Sequence, residues 1–135
     1  MEPYLKIAGW LLIALALFHI VIPRKFKWKE ELAPLSLFNR QVMYVHTFFI
    51  AFVVLLMGML CINSASEIIE THLGQKIALG LAIFWLLRLL FQFFVYSADL
   101  WKGRLQETVA HIIFSVLWIY LSGVFFVIYY YPVKA

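Results

Sequence analysis

Charge is what this sequence has least of. Only 13% of its 135 residues are Asp, Glu, Lys or Arg, about half the share in a soluble domain. Cysteine is nearly absent. Cys61 stands alone, which excludes an intramolecular disulfide, a CxxC metal or redox pair and a disulfide-framed secreted fold. There is no internal repeat and no low-complexity tract, so solenoids and disordered tails are set aside. The formal charge of +4 is small and scattered, and no nucleic-acid partner is expected. What fills the chain instead is apolar: 65% hydrophobic and 19% aromatic residues, with a mean hydropathy of +0.93. A domain this small leaves roughly a third of its chain surface exposed. Such an excess of apolar residues has no soluble interior to occupy, so an ordinary cytosolic enzyme is excluded and an integral membrane protein is expected.

Four stretches reach the ~20 apolar residues that a helix needs to cross a bilayer. They run over about 4–22, 41–62, 73–96 and 107–131. Pro23 and Pro132 are expected to stop the first and last, because proline cannot continue the helical ladder. Asn63-Ser64-Ala65-Ser66 and Ser97-Ala98-Asp99 read as loops. The first stretch is expected to be a true span rather than a secretory signal, since its basic cluster follows the apolar run instead of preceding it. The expected fold is an all-α integral membrane protein: one domain, a four-transmembrane-helix up-down bundle.

Lysine and arginine in short loops set the direction. Arg24, Lys25, Lys27, Lys29, Arg40, Lys102 and Arg104 fall on one side, against Lys6, Lys76 and Lys134 on the other. The richer side is expected to be cytoplasmic, with both termini outside, in a bacterial inner or plasma membrane. Trp28, Trp101, Tyr96 and Tyr129–Tyr131 sit at span ends, where amphipathic rings prefer to lie. Residues 23–40 alternate Phe26, Trp28 and Leu32 with Lys25, Lys27 and Lys29. They read as a segment resting on anionic membrane lipids.

Ionisable groups inside hydrocarbon are costly and are therefore site candidates. His72 falls beside Glu67 and Glu70 in a surface loop. His19, His46 and His111 fall in spans 1, 2 and 4, each roughly 5–10 Å beneath the same interface at 1.5 Å per residue. Span 3 brings Arg88 and Gln92 to a similar depth. Helical spacing gathers these residues into stripes: Ala8, Leu12, Ala16 and His19; Met43, His46 and Ile50; Trp85, Arg88 and Gln92; Glu107, His111, Ser115 and Ser122. The stripes are expected to face the interior, where polar groups find partners.

Three imidazoles suit zinc, iron or copper, with Glu107 as a fourth ligand or an orienter of His111. A pair of them suits haem b, with Arg88 for a propionate and Gln92 in support. Four spans with intramembrane histidines are similar in architecture to small membrane cytochromes b, although no span here pairs two histidines. The expected activity is redox or metal-dependent chemistry on a lipid-soluble molecule such as a quinol. Two alternatives compete. One is an accessory subunit of a larger membrane complex. The other is a small transporter, alone or as a homodimer, for which Ser115 and Ser122 are the only path residues toward the outer leaflet.

Overall fold

In hydrocarbon every backbone N–H and C=O must be satisfied within the chain, and a helix does this inside a single segment. The computed structural model, which describes residues 2–25, 27–94, 103 and 105–131, is accordingly all-helical, with no strand among the described residues. Its helices are α1 (Glu2–Lys25), α2 (Trp28–Glu31), α3 (Leu37–Asn63), α4 (Ala65–Glu70), α5 (His72–Phe94) and α6 (Leu105–Tyr129). Helices α1, α3, α5 and α6 are long and apolar enough to cross a membrane, each holding an 18-residue stretch of mean hydropathy 2.3, 2.5, 2.1 and 2.3 respectively. Tyr96, Ser97-Ala98-Asp99, Trp101, Lys102, Arg104, Pro132, Lys134 and Phe26 lie outside the described residues.

The chain divides into two compact units, Lys6–Ser64 and Met1–Leu5 with Ala65–Ala135. In the first, α1 and α3 meet backbone to backbone at two glycines. A Cβ on Gly9 would stand 2.8 Å from the Gly58 carbonyl oxygen, and one on Gly58 would stand 2.7 Å from that of Gly9. Only hydrogen side chains permit this approach, as in close helix pairs within lipid. The α1 stripe is buried at Ala8, Leu12 and Ala16, and His19 is half-buried. Pro23 does not end α1, which continues through Lys25. Pro23 costs a single ladder bond, from its own nitrogen to the His19 carbonyl, and only two helical residues follow it.

The connection to α3 is locally specified. Lys27 takes a left-handed conformation (φ 53°), Trp28 meets Tyr44 edge-on at 5.6 Å, and Ser36 Oγ accepts from the Asn39 amide at 3.2 Å to cap α3. Along α3 a single face carries Met43, His46, Ile50, Val54, Gly58 and Cys61. Its second half is buried, whereas Met43, His46 and Ile50 are exposed. The expectation that this stripe faces inward holds only where the glycines bring α1 and α3 together.

In the second unit, the loop expected at residues 63–66 shrinks to one residue. Ser64 closes α3 by donating to the Leu60 carbonyl at 2.9 Å, and Ala65 already begins α4, which buries Ile68 and Ile69. Thr71 joins α4 to α5. Its hydroxyl donates to the Glu67 carbonyl at 2.6 Å and accepts from the Gly74 amide at 2.9 Å, forming the N-cap of α5. Any Cβ on Gly74 would collide with the backbone of Glu67 and Ile68. Helix α5 then packs along α6, with small Ala78 and Ala82 on α5 and bulky Trp118, Leu121, Phe125 and Ile128 on α6 all buried. At the far end Gln75 bonds to the Tyr131 carbonyl, and Tyr120 donates to the Tyr4 carbonyl at 3.0 Å.

Candidate functional site

The polar residues of α5 and α6 come together. Arg88 Nη1 donates to Gln92 Oε1 at 3.3 Å, one turn along α5. Gln92, only 7% exposed, reaches across to α6, where its Nε2 lies 2.7 Å from His111 Nδ1. Arginine is donor-only, so the face of the Gln92 amide that meets it must be the oxygen. The amide nitrogen then donates to His111, whose Nδ1 accepts. Neutral His111 therefore carries its proton on Nε2. Phe93 meets the His111 ring edge-on at 5.5 Å. The Ser115 hydroxyl donates to the His111 carbonyl at 2.7 Å.

One turn along the helix pair, toward the start of α5, lies an aromatic stack. Trp85 and Trp118 are nearly parallel, with centroids 5.1 Å apart at 10°. Phe114 stacks on Trp118 at 5.7 Å, and Phe84 meets Trp85 edge-on at 5.0 Å. The Arg88 guanidinium sits 5.0 Å over the Trp118 ring, a cation–π arrangement that strengthens where water is excluded. Trp118 is the member the sequence reading missed. It falls between Ser115 and Ser122 on the α6 stripe, so the spacing pointed to it, but attention to polar residues passed over an indole.

The remaining candidates are placed differently. His19 Nδ1 lies 2.8 Å from the Leu15 carbonyl. A carbonyl only accepts, so Nδ1 donates and neutral His19 keeps a lone pair on Nε2. His46 is exposed on α3, and Glu107 is exposed in the first turn of α6, where the helix dipole favours a carboxylate. His19 and His46 thus belong to one unit and His111 to the other. Within either unit, no three His, Cys, Asp or Glu side chains among the described residues are grouped to hold a metal ion. Ser122 donates to the Trp118 carbonyl at 2.8 Å. Both serine hydroxyls are thereby turned onto their own helix, as such residues are in apolar helices.

Together these features define a multi-pass membrane protein with four helices able to span a bilayer and a polar constellation between two of them. No protein-family model, curated protein or solved structure matches the chain.

Proposed function

We propose that this protein binds a lipid-soluble molecule of the quinone class at the Arg88–Gln92–His111 constellation. In this reading the chain is an up-down bundle with both termini outside, the 24–40 segment lies on the cytoplasmic surface, and the site sits in the inner leaflet. The direction rests on the lysine and arginine distribution. The observation that carries the functional reading is the directed relay in which Arg88 donates to Gln92 and Gln92 donates to His111. It holds an imidazole in one tautomer inside an apolar helix pair. A quinone needs a flat apolar surface and a donor at its carbonyl oxygen; the quinol needs a proton acceptor. Histidine supplies either role, and the rings of Phe93 and Phe114, which are not buried, supply the surface.

A short-chain quinone titrated into the detergent-solubilised protein is expected to bind saturably. Arg88→Leu and His111→Leu are expected to weaken it about tenfold or more each, the loss of a hydrogen bond to a charged or buried partner. Absence of saturable binding to the wild-type protein would overturn the reading.

A second reading is a haem b or a zinc, iron or copper ion with His19 as a ligand. It is favoured by the His19 tautomer: an Nδ1–H held by a backbone carbonyl, with Nε2 as lone pair, is the usual preparation of a metal-binding imidazole. Visible absorption with and without dithionite, together with elemental analysis, separates the two. A Soret band or stoichiometric metal, lost in His19→Ala but retained in His72→Ala, would establish the second reading.

A further inference from the structure

Two donors in the α5–α6 pair have no acceptor among the described residues. Trp85 is 2% exposed and Trp118 is 3% exposed, and neither indole Nε1 has a hydrogen-bond partner among the described residues. Buried polar groups are otherwise satisfied in native proteins, and the exceptions concentrate where a ligand, an ion or a water completes the bond. Indole N–H is a donor with no acceptor capacity, and so is the arginine guanidinium. Trp85, Trp118 and Arg88 are neighbours, the rings 5.1 Å apart and the guanidinium 5.0 Å over one of them. This cluster offers donors only. Gln92 Oε1 takes the Arg88 bond, and the Ser115 and Ser122 hydroxyls donate to the His111 and Trp118 carbonyls.

We infer that the stacked Trp85–Trp118 pair, with Arg88 above it, is the deep end of the binding site and receives an acceptor oxygen of a lipid-soluble ligand through its two indole N–H groups. This rests on the proposed quinone site and extends it. Trp118 lies seven residues beyond His111, roughly 10 Å deeper along α6. At that depth the oxygen arrives on an apolar body, not from bulk water. A quinone carbonyl and a fatty-acid carboxylate share the required chemistry, an exposed acceptor oxygen on a lipid-soluble frame.

The test uses the full-length protein in detergent, with Trp85→Phe, Trp118→Phe and the double variant. Each keeps an aromatic ring but removes the N–H together with part of the indole, so benzothienylalanine at the same positions, which keeps the bicycle and lacks only the donor, is measured beside them. Trp10→Phe, at a residue 63% exposed, is the control. Circular dichroism establishes that each variant is folded. Calorimetric titration then measures binding of a short-chain quinone and, separately, of oleate. The inference expects quinone binding to the wild type, weakened about five- to tenfold by each single variant, the worth of one neutral hydrogen bond, with Trp10→Phe unchanged. Quinone binding that depends on Arg88 and His111 but is unchanged in both tryptophan variants overturns this inference and leaves the quinone site standing. Oleate binding that depends on the tryptophans, without quinone binding, overturns the quinone reading and sustains the indole site. Binding of neither ligand to the wild type overturns both.

Discussion

His19 and His111 carry their ring protons on opposite nitrogens. Leu15 offers His19 Nδ1 a carbonyl, which can only accept. Gln92 offers His111 Nδ1 an amide N–H, because Arg88 has claimed the amide oxygen. Two imidazoles that look equivalent in the sequence are therefore prepared for different chemistry. His19 presents a lone pair at Nε2, the state of a base or ligand; His111 carries a proton there, the state of a donor.

The relay makes a prediction about tautomers. Gln92→Glu replaces the donor facing His111 with a carboxylate, which accepts only. His111 is expected to move its proton to Nδ1, and ring nitrogen-15 shifts should exchange their protonated and unprotonated assignments. Gln92→Leu removes both hydrogen bonds and is expected to cost about 1–3 kcal/mol, the penalty for stranding buried polar groups, read as a lower unfolding temperature in detergent. Unchanged nitrogen shifts in Gln92→Glu would contradict the assigned direction of the relay.

Two glycines should respond in opposite ways. Gly58 has the Gly9 carbonyl at 2.7 Å from any added Cβ, whereas Gly80 on α5 has nothing within 4 Å. Gly58→Leu is expected to destabilise by about 1–3 kcal/mol or more through overpacking. Gly80→Ala is expected to be neutral or to stabilise by up to about 1 kcal/mol, because alanine loses less backbone entropy in a helix. Comparable melting shifts for the two would contradict the α1–α3 backbone contact.

The turn into α5 rests on Thr71 and Gly74. Thr71→Val keeps the shape and deletes the cap, with an expected cost of about 0.5–2 kcal/mol. Gly74→Ala should cost more, since the added methyl meets the rigid backbone of α4 rather than a movable side chain. Thermal unfolding ranks the two, and hydrogen exchange should show the loss concentrated at the start of α5.

Much of this architecture was legible in the sequence. The four long apolar runs could satisfy their backbones in lipid only as helices, and helices α1, α3, α5 and α6 lie where the runs do. The stripes through Ala8, Leu12 and Ala16, through Trp85 and Gln92, and through Ser115 and Ser122 are buried. Periodicity reports which residues share a face, so these followed directly.

What periodicity does not report is how far a face stays covered. His46 shares its face with buried Gly58, yet it is exposed, because the glycine contact that brings α1 close lies a dozen residues along. Pro23 was read by its general habit as a terminator, but near a helix end its cost falls to one bond. The short α4 was hidden because Asn63-Ser64-Ala65-Ser66 has turn composition, while burial of Ile68 and Ile69 decided the backbone. The direction of each hydrogen bond at Gln92, and the unpartnered indoles, depend on rotamers that no spacing encodes.

The most direct test of the account is chemical analysis of what the protein carries out of its own membrane. The protein, purified in mild detergent, is extracted with organic solvent, and the extract is assayed for quinone by its absorbance change on borohydride reduction. Parallel samples of Arg88→Leu and His111→Leu are treated identically. The account predicts quinone near one equivalent in the wild type and little in either variant. The same small amount in all three, matching the detergent background, would contradict it.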